Sequence, residues 1–358
     1  MSAFRWAIFT ASMMVVLAAC QSSPNSSTTP IEQPEPSSAD STQPTPTPST
    51  APAKEHATVG EIEIVVDESL KPIIEQELEV FHAVNAKAVI HATYLPAEEA
   101  IQEMLNNRDI RLVISSRILT DDEKKFLVDQ TVLPDYTSFG RDAIAVVNHP
   151  SNPVMKLDKA ELQGVLSGKI TSWKQIDPAA PEDKISLIFD HPQSSVLRFL
   201  TDSIMGGQAI SSSNVFAMDS STALLEYVKT NPGAIGFVGW AWLSDSDQIM
   251  SQELMDGLQL VLLEKQDGAN GPCPYDLKYV GPWQSYLATD CYPLRRHMTT
   301  ILRESIFGLG TGFVSYLNGP QGQRIVHKAG LNAHKGIPRE VKFPKQRKAT
   351  AQVDSTET

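Results

Sequence analysis

The sequence predicts an α/β domain of two lobes, each a mostly parallel sheet with helices on its faces. Two observations carry this. Strand-like and helix-like segments alternate from Val59 onward. The stretch of ordinary globular composition, Val59 to Phe343, is also longer than one hydrophobic core usually serves.

In chain order, Glu61 to Val66 reads as a strand, and the segment after it places Leu70, Ile73, Ile74, Leu78 and Phe81 at near-helical spacing. Lys87 to Tyr94 is a second strand, Ala97 to Asn106 a helix, and Arg111 to Ile114 a third strand. Thr120-Asp121-Asp122-Glu123 is a capping box that opens another helix. Asp142 to Asn148 is strand again, followed by a helix capped by Asp158. Ile185 to Phe189 is strand, Ser194 to Ile204 helix, Val215 to Ala217 strand, Thr222 to Lys229 helix and Ala234 to Val238 strand. Helices over Thr311 to Leu317 and Pro320 to Ala329 close the domain. Residues 59–145 with 240–343 are assigned to one lobe, 146–239 to the other, and 344–358 to a polar, disordered tail. The crossings, near Ala143 to Asn148 and Phe237 to Trp242, are the expected hinge. Gly236 and Gly239 suit either a bend there or close packing.

Before the domain, Arg5 precedes an apolar run from Trp6 to Leu17, which ends in Leu17-Ala18-Ala19-Cys20. That run is too short for a permanent membrane span and fits the core of a secretory signal. Its ending resembles the bacterial lipobox, whose cysteine is diacylated after cleavage. Residues 1–19 are therefore expected to leave, with Cys20 anchoring the chain outside the cytoplasm, facing the periplasm. An ordinary signal with an incidental cysteine is the alternative. Residues 20–58 are rich in Pro, Ser and Thr and contain no aromatic residue, so they predict a disordered stalk biased toward polyproline II.

The formal net charge is −12, which argues against nucleic acid or an anionic lipid surface as partner. A small anion remains compatible, because a local set of amide donors overrides a screened global field. The scattered histidines lack ligand spacing, so neither metal nor cofactor is expected. Apart from Cys20 only Cys273 and Cys291 remain, and in an exported chain they form either one bridge or two free thiols.

Three segments share one pattern, a strand end followed by hydroxyl residues and a helix start. They are Asp67-Glu68-Ser69-Leu70, Ser115-Ser116-Arg117, and Asp190-His191-Pro192-Gln193-Ser194-Ser195 with Arg198 one turn on. Helix starts expose unpaired N–H groups and partial positive charge, serines add hydroxyl donors, and arginine offers a planar fork for an oxyanion. In open α/β sheets such strand ends converge on the ligand. Plain N-capping explains any one of these sites equally well, and it is the reading for a fourth, Asp219-Ser220-Ser221. Asp190, His191 and Ser194 or Ser195 also suggest a hydrolytic triad. Such triads, however, need a relay geometry that near-consecutive positions do not supply.

Several pieces then match a known family. Ile64 to Ser69, Leu166-Ser167-Gly168-Lys169-Ile170-Thr171-Ser172-Trp173, Asn231 to Val238, Cys291-Tyr292-Pro293-Leu294 and Gly319-Pro320-Gln321-Gly322-Gln323 lie in family order. Together they resemble the phosphate-binding lipoproteins of bacterial phosphate-uptake ABC transporters. The resemblance implies a type II periplasmic-binding-protein fold that acts without turnover, as a monomer, and delivers inorganic phosphate to a membrane permease. It also implies that Ser69 with the Leu70 amide, Ser115, Ser116, Ser194, Ser195 and Arg198 grip the anion; Arg117 and Gln193, in the same segments, are the further candidates. The chain departs from the family where Gln193-Ser194-Ser195 lacks glycine and its arginine follows instead of preceding. Phosphate near neutral pH keeps a proton that a carboxylate can accept, whereas sulfate does not. Asp67, Glu68 and Asp190 are the candidate acceptors. Another oxyanion, or a role in adhesion or signalling without transport, is the alternative reading.

Overall fold

The computed structural model describes residues 56–335 apart from 181, 212–213, 269–270 and 305–306. The signal segment, Cys20, the stalk and the C-terminal tail lie outside the described residues. The first elements are β1 (Val59–Asp67), α1 (Lys71–Val84), β2 (Lys87–Leu95), α2 (Ala97–Asn106), β3 (Leu112–Ser115) and α3 (Asp121–Asp129). Next come β4 (Asp135–Asn148), β5 (Lys156–Leu157), α4 (Lys159–Leu166), β6 (Ser186–Phe189), α5 (Ser195–Phe199), β7 (Val215–Ala217), α6 (Ser221–Thr230) and β8 (Ala234–Gly239). The chain continues through α7 (Ile249–Met255), β9 (Gln259–Leu260), β10 (Leu262–Glu264), β11 (Tyr279–Val280) and α8 (Gln284–Ala288). It ends with β12 (Arg295–Leu302), α9 (Leu309–Leu317), α10 (Pro320–Lys328) and β13 (Asn332–Ala333).

The main sheet runs β2-β1-β3-β12-β4-β8-β6-β7, a mixed α/β arrangement. Parallel triplets stand at either end, and antiparallel β12 and β4 lie between them. β4 belongs to both halves: Asp135 to Ala143 pair with β12, and Ile144 to Asn148 pair with β8. At that changeover the backbone of Ile144 is held on both sides. Its N–H donates to the Leu294 carbonyl at 2.8 Å, and its carbonyl accepts from the buried Tyr292 hydroxyl at 2.8 Å. The Tyr-Pro-Leu segment is thus a clamp on the seam.

The other matched segments are also structural. Trp173 is fully buried, and its indole N–H donates to the Gly233 carbonyl at 3.1 Å, which ties two of them together. The buried Gln323 amide donates to the Phe139 and Leu317 carbonyls at 2.7 and 2.8 Å. Both expected caps are present, with Thr120 and Asp158 each in a complete capping box. Cys273 and Cys291, 18 residues apart, form a disulfide.

Four features differ from the sequence reading. β4 begins at Asp135, seven residues earlier than expected. β12, a segment to which the sequence reading assigns no element, occupies the middle of the sheet. The helix expected over Ser194 to Ile204 is regular only to Phe199 and widens into a π turn before Gly206 and Gly207, both at positive φ. Finally, β9 pairs with the second half of β4 and β10 pairs with β5, so this part of 240–343 lies with the second lobe, not the first.

Candidate functional site

β1 delivers Asp67 to the centre of the molecule, where its side chain caps the turn Glu68–Leu70 and is 2 % exposed. All three predicted serine segments meet on this carboxylate. Oδ1 accepts from Ser69 N at 3.1 Å, Ser69 Oγ at 2.7 Å and Ser195 Oγ at 3.3 Å. Oδ2 accepts from Ser116 N at 3.3 Å and Ser116 Oγ at 2.6 Å, which brings in the third. Ser69 Oγ and Ser195 Oγ, 126 residues apart in sequence, are 3.3 Å from each other.

The full positive charge at this point comes from Arg296 on β12, which the sequence reading did not find. Its Nη1 donates to Ser195 Oγ at 2.9 Å and to Ser116 Oγ at 3.3 Å. Nε and Nη2 donate to Asp142 Oδ2 on β4 at 3.0 and 2.8 Å, in an ion pair with almost no solvent exposure. Burial acts against the Arg296 charge, but Asp142, Asp67 and Asp190 override it and hold the proton more tightly. Gly239 borders the pair because nothing larger fits. A Cβ there would lie 2.6 Å from the Ser69 carbonyl and 2.8 Å from Arg296 Nη2.

Around this cluster is a cavity of about 260 Å³ whose lining includes Asp67, Glu68, Ser69, Asp190 and Ser195. Burial, with Asp190 and Asp67 nearby, pushes Glu68 up to about 7 even though Ser221 opposes the shift. Burial likewise raises Asp190 to about 6. Glu68 also crosses the seam to the start of α6, accepting from Ser221 Oγ at 2.8 Å and Ser221 N at 3.4 Å. The expected cap there is present as well, in Ser220. The additional contact of Ser221 was not foreseen.

Other predicted residues are placed elsewhere. Ser115 is buried with its hydroxyl accepting from Arg117 N, Ser194 is the cap of α5, and Gln193 is exposed. Leu70 is buried in the core. The two arginines predicted to hold an anion are taken by carboxylates of the protein itself. Arg117 donates to Glu123 at 2.9 Å and to Glu98 at 2.6 Å. Arg198 bonds the other Glu98 oxygen, so Glu98 on α2 bridges the two halves at the rim. The would-be triad is not assembled: His191 Nδ1 accepts from Gln193 N, and Ser195 bonds Asp67 and Arg296.

Two half-sheets sharing one strand, with polar donors meeting at the join, define a binding-protein domain. The chain belongs to the PBP superfamily, whose domain matches residues 51–320. Among curated proteins it is similar to the phosphate-binding protein PstS of Staphylococcus aureus, at 24% identity over 52% of this chain and 57% of that one. The chain thus matches just over half the length of those relatives. Among solved structures it resembles a Clostridium perfringens chain described as a phosphate ABC transporter substrate-binding protein, solved with bound phosphate. That match has a TM-score of 0.63 at 20% identity and covers 77% of this chain and 100% of that one. An ABC-type phosphate transport receptor from Vibrio cholerae gives 0.56 at 18% identity over 76% and 100%. A phosphate-binding protein from Stenotrophomonas maltophilia gives 0.53 at 14% identity over 76% and 90%. At these identities the structures establish the fold.

Proposed function

We propose that this chain captures inorganic phosphate at the seam between its halves and passes it to an ABC permease. In this reading it works outside the cytoplasm, tethered through lipid on Cys20. The observation that carries the proposal is the convergence of Ser69, Ser116 and Ser195 on one carboxylate, with Arg296 donating to two of those serines. Donors that satisfy the two oxygens of Asp67 can satisfy those of a tetrahedral oxyanion, with the Arg296 charge behind them. Asp67, displaced from those donors, then becomes the acceptor for the proton phosphate retains, which is the basis for rejecting sulfate. The raised affinity of Glu68 for protons limits charge repulsion against the incoming anion near neutral pH. The phosphate-binding descriptions of the relatives support the same ligand class.

Calorimetry on the chain without its lipid tests this. Phosphate is expected to bind with 1:1 stoichiometry, sulfate much more weakly, and the Ser195→Ala and Arg296→Ala variants to lose phosphate. Equal binding of sulfate would overturn the role given to Asp67. No binding of either anion would overturn the reading as a whole and leave a binding fold used in adhesion or signalling.

A further inference from the structure

Arg296 also lines a second and larger cavity, of about 440 Å³, that shares none of its walls with the acidic one. One wall comes from the first half of the sheet, with Arg141 on β4 and Arg295, Arg296 and His297 on β12. The facing wall is apolar, built from Leu157, Leu162, Phe199, Ile204 and Leu263, with Lys159 at the start of α4. A cavity of this size with an apolar wall and a few convergent charges suits a small organic ligand better than a bare ion.

The charge is one-sided. Arg141, Lys159, Lys265, Arg295 and Arg296 line the cavity against two carboxylates, Asp158 and Glu264. Both carboxylates have other duties: Asp158 caps α4, and Glu264 accepts from Lys159 N at 3.2 Å. Behind the wall Asp290 is shared by Arg141 at 2.5 Å and Arg295 at 2.9 Å, and Asp142 holds Arg296. Two guanidinium groups, of Arg141 and Arg295, therefore line the cavity with one carboxylate between them, while that of Arg296 is turned to Asp142, Ser116 and Ser195, in a chain whose formal net charge is −12. His297 registers the resulting field. Partial burial and then the cations Arg141 and Arg295 lower its proton affinity, Asp290 opposes them in part, and His334 adds the smallest push.

We propose that this cavity is a second binding site, for a small organic anion with an apolar body, whose charged head meets Arg295 and Arg141 while its body rests on Phe199, Leu162 and Leu263. The site is independent of the phosphate reading. An anion placed there offsets the cations around His297 and raises its proton affinity, so binding takes up a proton below neutral pH.

The test follows the His297 imidazole by NMR while the lipid-free chain is titrated with benzoate or phenyl phosphate, with benzylamine and benzamide as controls. The aromatic anions are expected to saturate and shift the His297 titration upward, and the controls to do neither. Ser203→Trp, at an exposed position on the rim, is expected to weaken benzoate at least tenfold while leaving inorganic phosphate unchanged. No saturation by either anion at millimolar concentration, or equal response to benzylamine, overturns the proposal. If Ser203→Trp abolishes inorganic phosphate binding instead, the cavity is merely the entrance to the serine cluster and the proposal also fails. Loss of phosphate binding in unmodified protein, with benzoate still bound, refutes the phosphate reading and leaves this one standing.

Discussion

Replacing Glu68 with glutamine isolates the coupling between closure and protonation. In the closed arrangement Glu68 is drawn to Ser221 across the seam and shifted from its ordinary 4.5 to about 7, chiefly by burial. In an opened cleft the same carboxyl is solvated and returns toward the ordinary value, so closing takes up a proton. A carboxyl whose proton affinity is higher in the closed form favours closure at low pH. That advantage is lost as pH rises from about 4.5 toward about 7, and the profile is flat above it. At ~1.4 kcal/mol per unit the full shift corresponds to roughly 3 kcal/mol, and partial exposure discounts this to ~1.5 kcal/mol, or about tenfold in phosphate affinity. Calorimetric titration of phosphate at about pH 5 and about pH 8 measures it. Phosphate's own ionisation contributes equally to both proteins, so the difference between the slopes of wild type and Glu68→Gln belongs to Glu68. Glu68→Gln is expected to lose about one logarithmic unit of pH dependence and to bind more tightly than wild type at the higher pH. Parallel profiles would refute the reasoning.

Three further outcomes follow from the same geometry. Glu77 on α1 is fully buried, and burial pushes its carboxyl up to about 9 from an ordinary 4.5, with the neighbouring Tyr316 hydroxyl opposing the shift. The folded state thus holds this proton, and stability declines as pH rises between those values. Glu77→Gln should remove on the order of 3 kcal/mol of that decline by pH 7, measured by urea unfolding across the range. Asp142→Asn leaves the Arg296 guanidinium buried without its counterion, for an expected loss of about 3–5 kcal/mol in the same assay. Reducing the Cys273–Cys291 bridge frees an 18-residue loop, at an expected cost of about 3 kcal/mol, visible as a lower Tm in the presence of reductant.

The readable part of the fold was the part written in local chemistry. Alternating periods gave most of β1 through β8, and Thr120 and Asp158 announced their helices, because capping is decided within four residues. The serines at strand ends were legible for the same reason, and Ser69, Ser116 and Ser195 do meet. What escaped was decided by partners remote in sequence. Arg296 looks like one cation in a polar triplet, and only its pairing with Asp142, 154 residues away, makes a buried strand position of it. The uninterrupted Met298-Thr299-Thr300-Ile301-Leu302 run was the available signal for β12. Arg117 and Arg198 had the right local setting for anion binding, yet Glu98, from another helix, claims both.

The placement of β12 also bears on how the protein comes into being. Residues near the end of the chain supply the strand that fits between β3 and β4, both completed more than 140 positions earlier. A growing or translocating polypeptide therefore carries a gap in its first half-sheet, with Asp142 uncompensated, until Arg295–Leu302 emerges and slots in. The binding cluster is completed late and all at once, because Arg296 arrives with this strand, so a prematurely terminated product is expected to be both unstable and inert.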